Sequence, residues 1–337
     1  MCSAGGTNAR IRIGRWLGWA LTWVMAGSAS MLAGCAGGPA GERGCPDGTE
    51  LVPVRVEAGD VGYRDRPVVA GLADVNLPEG VGSWAGAGLI VEEVAGGGRG
   101  DDEEIGAAPA IDESVPFQLD LLPPGAVVGD SVQLVFLLEG RTEPSEVRRY
   151  RLCAGTLEDG PGDSGGHLAR AAGTDRVRYA GTEVHEGQES YLVRTDSAEY
   201  FYHRRGAGFA SLHDVDGNDW LSYHPGVGEE SGSGSGGRFR GLPNMGYPEG
   251  YAHPGEDTSR TDLVADGPLR LSLHSRSLDG KMRIRWDVYP EFARLTVLEM
   301  RPPYWFLYEG TPGGELDLDT DYWVRSGDEP GTRLSAA

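Results

Sequence analysis

The sequence predicts an all-β chain built as two antiparallel sandwiches, a small one followed by a larger one, and three observations predict it. From Leu51 onward apolar and polar residues alternate: Val52, Val54 and Val56 share one face, and Pro53, Arg55 and Glu57 share the other. That is the two-residue period of a half-buried strand. Two Asp-Gly pairs, Asp216-Gly217 and Asp279-Gly280, stand between apolar runs, where their tolerance of left-handed backbone suits a tight hairpin turn. No stretch of the mature part carries a convincing amphipathic helical period, so sheets must bury their apolar faces against one another.

The chain opens on a targeting segment. Arg10, Arg12 and Arg15 stand without any acidic residue, and an apolar run (Trp16, Leu17, Trp19, Ala20, Leu21, Trp23, Val24, Met25) follows. This order is that of a secretory signal peptide over residues 1–34. Gly18, Thr22, Gly27 and Ser28 interrupt the run, which is short for a membrane span of ~20 residues; a transmembrane anchor is the alternative. Leu32-Ala33-Gly34-Cys35 resembles the lipobox of bacterial lipoproteins, which implies cleavage before Cys35 and acylation of that residue. Two or three acyl chains hold a protein stably on a membrane where one would not. The expected location is therefore the cell envelope, with the body facing the periplasm or the exterior. Loss of residues 1–34 removes three Arg and no acid, taking the net charge from −21 to −24. Such a surface repels phosphate backbones, and nucleic acid is excluded as a partner.

Of four cysteines, Cys2 leaves with the signal and Cys35 would carry lipid, so Cys45 and Cys153 remain. In an oxidising compartment they are expected to form a disulfide, two reduced thiols being the alternative. Closing a loop of that length is worth ~4 to 5 kcal/mol in the chain-entropy account. Residues 35–50 are a Gly/Pro tether, and residues 51–154 the small sandwich. Its strands are expected near Leu51 to Glu57, Pro67 to Ala73, Ala87 to Ala95, Pro116 to Leu122, Ser131 to Glu139 and Glu146 to Cys153. The acidic stretch Gly96 to Glu104 reads as a solvated hairpin tip, and its Arg99-Gly100-Asp101 triplet as a chance match to an adhesion motif. Residues 155–175, starting GTLEDGPGDSGG, form a linker by composition.

The larger domain spans residues 176–337, with strands expected at Ser190 to Arg204, around each Asp-Gly turn, and at Arg294 to Met300, Tyr304 to Glu309 and Asp321 to Arg325. Asp214, Asp216, Asn218 and Asp219 place oxygen ligands on nearby residues in the manner of a calcium loop, but the glycine and the distant bidentate Glu of such a loop are missing. The stretch reads as a hairpin turn, and neither metal nor cofactor is expected. The segment from Tyr223 to Gly255 is too rich in polar and aromatic groups to be core. It runs Tyr223-His224-Pro225-Gly226, a Ser/Gly tract, Arg238 to Asn244 (RFRGLPN), and Tyr251-Ala252-His253-Pro254-Gly255. Long ordered loops of this kind carry function. Tyr223, His224, Arg240, Asn244 and Tyr251 are the candidate ligand contacts, because a planar cation, amide, imidazole and phenol can converge on hydroxyl or carboxylate groups.

Phe209-Ala210-Ser211-Leu212 to Trp220, Tyr-His-Pro-Gly, Arg-Gly-Leu-Pro-Asn, His-Pro-Gly, Gly267-Pro268-Leu269 and Tyr304 to Gly314 (YWFLYEGTPGG) resemble a group of secreted bacterial proteins. That group is similar in style to the galactose-mutarotase-like β-supersandwich of sugar epimerases, polysaccharide lyases and some glycosidases. The first domain resembles the small sandwich that precedes such domains, through Arg66-Pro67-Val68, Val115 to Gln118 and Arg149 to Leu152. The resemblance implies a β-supersandwich-like second domain, shorter here than such domains generally run, that handles carbohydrate. It implies Arg240 and Asn244 as sugar contacts, and, if the protein is catalytic in the manner of a polysaccharide lyase or mutarotase, His253 as acid and Glu309 as base. A structural or adhesion lipoprotein of the cell envelope is the alternative function.

Overall fold

The computed structural model describes residues 10–13, 50–58, 63–72, 75, 88–94, 110–123, 132–155, 167–168, 175–225, 240–246, 250–307, 322–323 and 332–333. Every strand pairing among them is antiparallel and no α-helix occurs, so the chain is all-β as the alternation predicts. Two compact units divide it, one built mainly of Thr7–Leu121 and Gly129–Thr174 and the other mainly of Asp175–Ala337.

The first unit contains β1 (Arg10–Ile13), β2 (Glu50–Glu57), β3 (Tyr63–Gly71), β4 (Gly88–Val94), β5 (Ala110–Ser114), β6 (Phe117–Leu121), β7 (Val132–Thr142), β8 (Val147–Gly155) and β9 (His167–Leu168). They form two sheets, ordered β1-β2-β8-β4-β5 and β3-β7-β6-β9. Val54, Val56, Val91, Tyr150 and Leu152 from the first sheet share one buried cluster with Val68, Ala70, Phe117, Leu119, Leu134, Phe136 and Leu138 from the second. Two sheets closing on one apolar layer make a β-sandwich. Each fully buried aliphatic side chain contributes roughly 1.5 to 3 kcal/mol. Pro67, which has no N–H to give a ladder, is accommodated because β3 pairs only with β7 and is an edge. A chain starting at Cys35 lacks β1, which leaves β2 as the edge of its sheet. Cys153 is fully buried on β8 and is disulfide-bonded. Cys35 and Cys45 lie outside the described residues, as does the apolar run from Trp16 to Met25. Among the described residues no helix is long and apolar enough to cross a membrane.

The second unit contains β10 (Val177–His185), β11 (Gln188–Thr195), β12 (Ala198–His203), β13 (Gly208–Asp214), β14 (Ser259–Asp266), β15 (Leu271–Ser277), β16 (Met282–Val288), β17 (Ala293–Met300), β18 (Tyr322–Trp323) and β19 (Thr332–Arg333). Strands β10 to β13 form one meander and β14 to β17 another, with β18 and β19 a short separate pair. The inward residues of the two meanders share a single core: Val177, Tyr191, Val193, Tyr200, Tyr202 and Phe209 from the first, Leu271, Leu273, Met282, Ile284, Trp286 and Val288 from the second. Phe209 meets Trp286 edge to face at 4.9 Å.

Three expectations change. Ser190 to Arg204 is not one strand: it turns at Asp196-Ser197 between β11 and β12. The Thr195 hydroxyl drives the turn by accepting the N–H groups of Ser197 and Ala198 at 3.2 and 3.0 Å. β10 and β14 were not expected, because these sheet-edge strands are mostly polar and present only half a pattern. Tyr304 to Leu307 is extended chain beside Pro243–Met245 and not a regular strand.

Candidate functional site

Strand β13 pairs with β12 on one side, and its other side is lined by the segments that carry the candidate residues. Phe209 exchanges both backbone hydrogen bonds with Leu242, at 2.8 and 3.1 Å. Tyr223 donates its N–H to Ala210 O at 3.1 Å, and Trp220 to Leu212 O at 2.8 Å. The Leu242 segment continues outward, since Trp305 N–H reaches Met245 O at 3.2 Å and Leu307 N–H reaches Pro243 O at 2.9 Å. Asn244 N–H is also bonded to Ala252 O at 3.0 Å. Motifs separated by tens of residues in the sequence are thus brought to one side of the sheet.

Close approach of bare backbone makes this possible. A Cβ on Gly206, Gly208 or Gly241 would collide with His253 O or the Pro254 ring, and one on Gly255 would collide with the Tyr223 phenol. His253-Pro254-Gly255 therefore lies in a seat that only glycines leave open. Asn244 takes a left-handed backbone (φ +48°), which Asn tolerates better than most residues.

Arg240 is half-buried beside this seat, and its Nη1 is buried with no hydrogen-bond partner among the described residues. Asn244 and Tyr223 are buried. His253 is buried too, edge to face against Tyr223 at 6.0 Å. His224 is exposed, held with Nδ1 3.0 Å from Glu186 Oε1 and Nε2 3.1 Å from Ser222 Oγ. Tyr251 points the other way: it packs into the core between the meanders, where its hydroxyl donates to Asp279 Oδ2 at 2.5 Å. An aromatic in a polar loop can thus still pack into the core. Glu309 lies outside the described residues. Tyr304, Trp305 and Phe306, next to Pro243–Met245, are each more than two-fifths exposed.

The outer face of the β10–β13 sheet holds groups that sequence reasoning missed. His185, His203 and His213 join His224 and His253 there, five of the seven histidines. His203 is fully buried; its Nε2 donates to His185 O at 2.9 Å, and its Nδ1 accepts the Gly255 N–H at 3.0 Å. Burial, the largest cause, lowers its pKa to about 4. His185 stacks on Phe201 at 4.1 Å and sits 2.8 Å from Ser211 Oγ. Ser211 also hydrogen-bonds Asp219. A carboxylate only accepts, so a Ser211 hydroxyl turned toward Asp219 would receive the Nε2–H of His185. Burial also lowers the His185 pKa. For Asp219 burial pushes the pKa up, but N–H donation from Leu221, Ser222 and Leu212 and the Ser211 hydroxyl outweigh it and hold the carboxyl below its usual range. His213 Nε2 stands 3.7 Å from Asp219, beyond hydrogen-bond length. One signal could have revealed this face. In Tyr200-Phe201-Tyr202-His203 both alternating sets are large, and a strand bulky on both faces is covered on both.

Asp214 closes the Asp-Gly hairpin as a turn residue: it accepts the N–H of Asp216 at 3.0 Å, that of Asn218 at 2.9 Å and the indole N–H of Trp220 at 2.8 Å. Among the described residues no three His, Cys, Asp or Glu side chains are grouped to hold a metal ion. No protein-family model and no curated protein matches this sequence.

Proposed function

We propose that this chain is a lipid-anchored protein of the cell envelope, acylated at Cys35, whose second domain binds carbohydrate along the outer side of the Arg240–Gly246 segment. The observation that carries the reading is the alignment of exposed Tyr304, Trp305 and Phe306 with the segment bearing half-buried Arg240. Exposed rings stack on the apolar faces of sugars, and a guanidinium fork matches vicinal hydroxyls or a carboxylate. A buried guanidinium donor without a partner is a group that a ligand would satisfy. The reading is of binding, because exposed rings and a guanidinium suffice to hold a sugar without any proton-transfer group.

A glycan array probed with the mature chain tests the reading. The parent should bind a defined set of glycans, and Trp305→Ala should lose them while melting at the parent temperature. A parent that binds no glycan, or a Trp305→Ala variant that binds as the parent does, contradicts it. Mass spectrometry of the mature N-terminus tests the anchor: an acylated Cys35 is expected, and an unmodified chain beginning elsewhere ends that part of the proposal.

A further inference from the structure

His203 joins three segments that are far apart in the sequence. Its Nε2–H holds the carbonyl of His185 at the tip of the β10–β11 hairpin, and its Nδ1 lone pair holds the N–H of Gly255, where the His253-Pro254-Gly255 loop returns to the sheet. The Tyr223 ring closes over it edge to face at 5.5 Å. The same hairpin tip is tied again by Gln188, whose side-chain amide donates to Glu256 O at 2.7 Å. The bond at Nδ1 exists only while that nitrogen lacks a proton. An added proton there would put N–H against N–H, turning an attraction into a repulsion between donors.

Among the described residues, no acidic side chain faces His203 to compensate for a positive charge there. The groups facing His203 are His185 from β10, Ser190 from β11, Tyr223 from the loop after β13 and His253 from the returning loop. None of these is a carboxylate. The neighbouring carboxylates are engaged elsewhere: Glu186 with His224, Glu189 with Arg204, Asp257 with Arg205 and Arg260, while the Glu256 side chain lies over Gly250.

We propose that His203 is an acid-operated latch: as the neutral imidazole it holds the His253-Pro254-Gly255 loop on the sheet, and proton uptake at Nδ1 releases that loop while both meanders stay folded. The glycine seat permits local release, because Gly206, Gly208 and Gly241 touch the loop through bare backbone and Pro254 and interlock no long side chains with it. Burial supports the direction, since it holds the closed-loop pKa at about 4, below the ordinary 6.5. A group whose folded pKa is depressed in this way favours the closed loop above the higher value and loses that effect as pH falls toward the lower one. The opening equilibrium should thus rise about tenfold per pH unit between these values, a few hundred-fold in all.

Amide hydrogen exchange on the full chain, followed by NMR from pH 7 to pH 4 and expressed as protection relative to the free peptide rate, tests the latch. Gly255 should lose protection progressively through this range, in step with the ring nitrogen shifts of His203, while Leu273 in the core stays protected. His203→Asn keeps an acceptor for the Gly255 N–H and takes up no proton, so its Gly255 protection should be flat with pH. Constant Gly255 protection in the parent, or loss of Gly255 and Leu273 protection together, overturns the proposal. If the variant does not fold, the parent comparison of Gly255 with Leu273 decides alone.

Discussion

On its inner face the β10–β13 sheet packs Val193, Tyr200, Tyr202 and Phe209 against Ile284 and Trp286; on its outer face it buries Leu192, Phe201, His203 and Ser211 to nearly the same degree. The two faces differ in what satisfies them. Inside, rings meet rings and aliphatics, and the polar ties are a few hydroxyl contacts, such as the Tyr202 hydroxyl on Ser275 Oγ at 2.8 Å and the Tyr191 hydroxyl donating to Thr261 O at 3.4 Å. Outside, imidazoles, a hydroxyl, a carboxylate and backbone N–H groups are linked bond by bond. Burial alone therefore does not separate core from site. An apolar layer tolerates any replacement that fills its volume, whereas a hydrogen-bonded layer depends on which atom carries each proton.

Four substitutions probe that difference. The largest effect should come from the inner face: Trp286→Ala opens a cavity against Phe209 and should cost ~3 to 5 kcal/mol in chemical denaturation. A loss below about 1 kcal/mol would mean the two meanders do not depend on this contact. On the outer side, Gly255→Ala places a methyl in the Tyr223 phenol and strains a backbone at φ +89°. It should destabilise by about 2 to 3 kcal/mol and abolish Gly255 amide protection. Arg240→Lys should leave the melting temperature unchanged and weaken glycan binding ten- to a hundredfold, since a lysine cannot reproduce the planar fork. Unfolding of that variant, or unchanged binding, would make Arg240 structural.

The smallest effect is expected at Asp214→Ala, which removes the acceptor of the Asp-Gly turn. Its exposed carboxyl is held near pKa 2 by the Trp220 indole and by Asn218. A carboxyl with a depressed folded pKa stabilises above its ordinary value of 3.8, and that contribution disappears as pH falls from 3.8 through about 2. The parent and the variant should therefore differ slightly in melting temperature at pH 6 and converge near pH 2.

Much of the fold was legible because alternation and turns are local signals. Val52, Val54 and Val56 lie on β2, and Asp279-Gly280 turns β15 into β16. β10 and β14 were not legible, because an edge strand with few apolar residues carries no period to read. Of the candidate site, the sequence pointed to Tyr223, Arg240, Asn244 and His253, which the fold does gather beside β13, through loops whose composition was too polar for core. It missed His185, His203 and Ser211, each set in a strand where a lone polar residue reads as solvent-facing; in the fold the Tyr223 ring and the returning Gly255 lie on His203, and Phe201 stacks on His185. Nothing local announces that Tyr251 also bonds Asp279, nearly thirty residues downstream.

Chemical-shift mapping of a glycan taken from the array, titrated into the isotopically labelled mature chain, tests the central claim most directly. The binding account predicts the largest shifts at Arg240, the Trp305 indole and Tyr223, with the inner-face Trp286 unmoved. Shifts confined to another surface, such as the open cleft lined by Asp175, Arg178, Arg194 and Glu199, would contradict it.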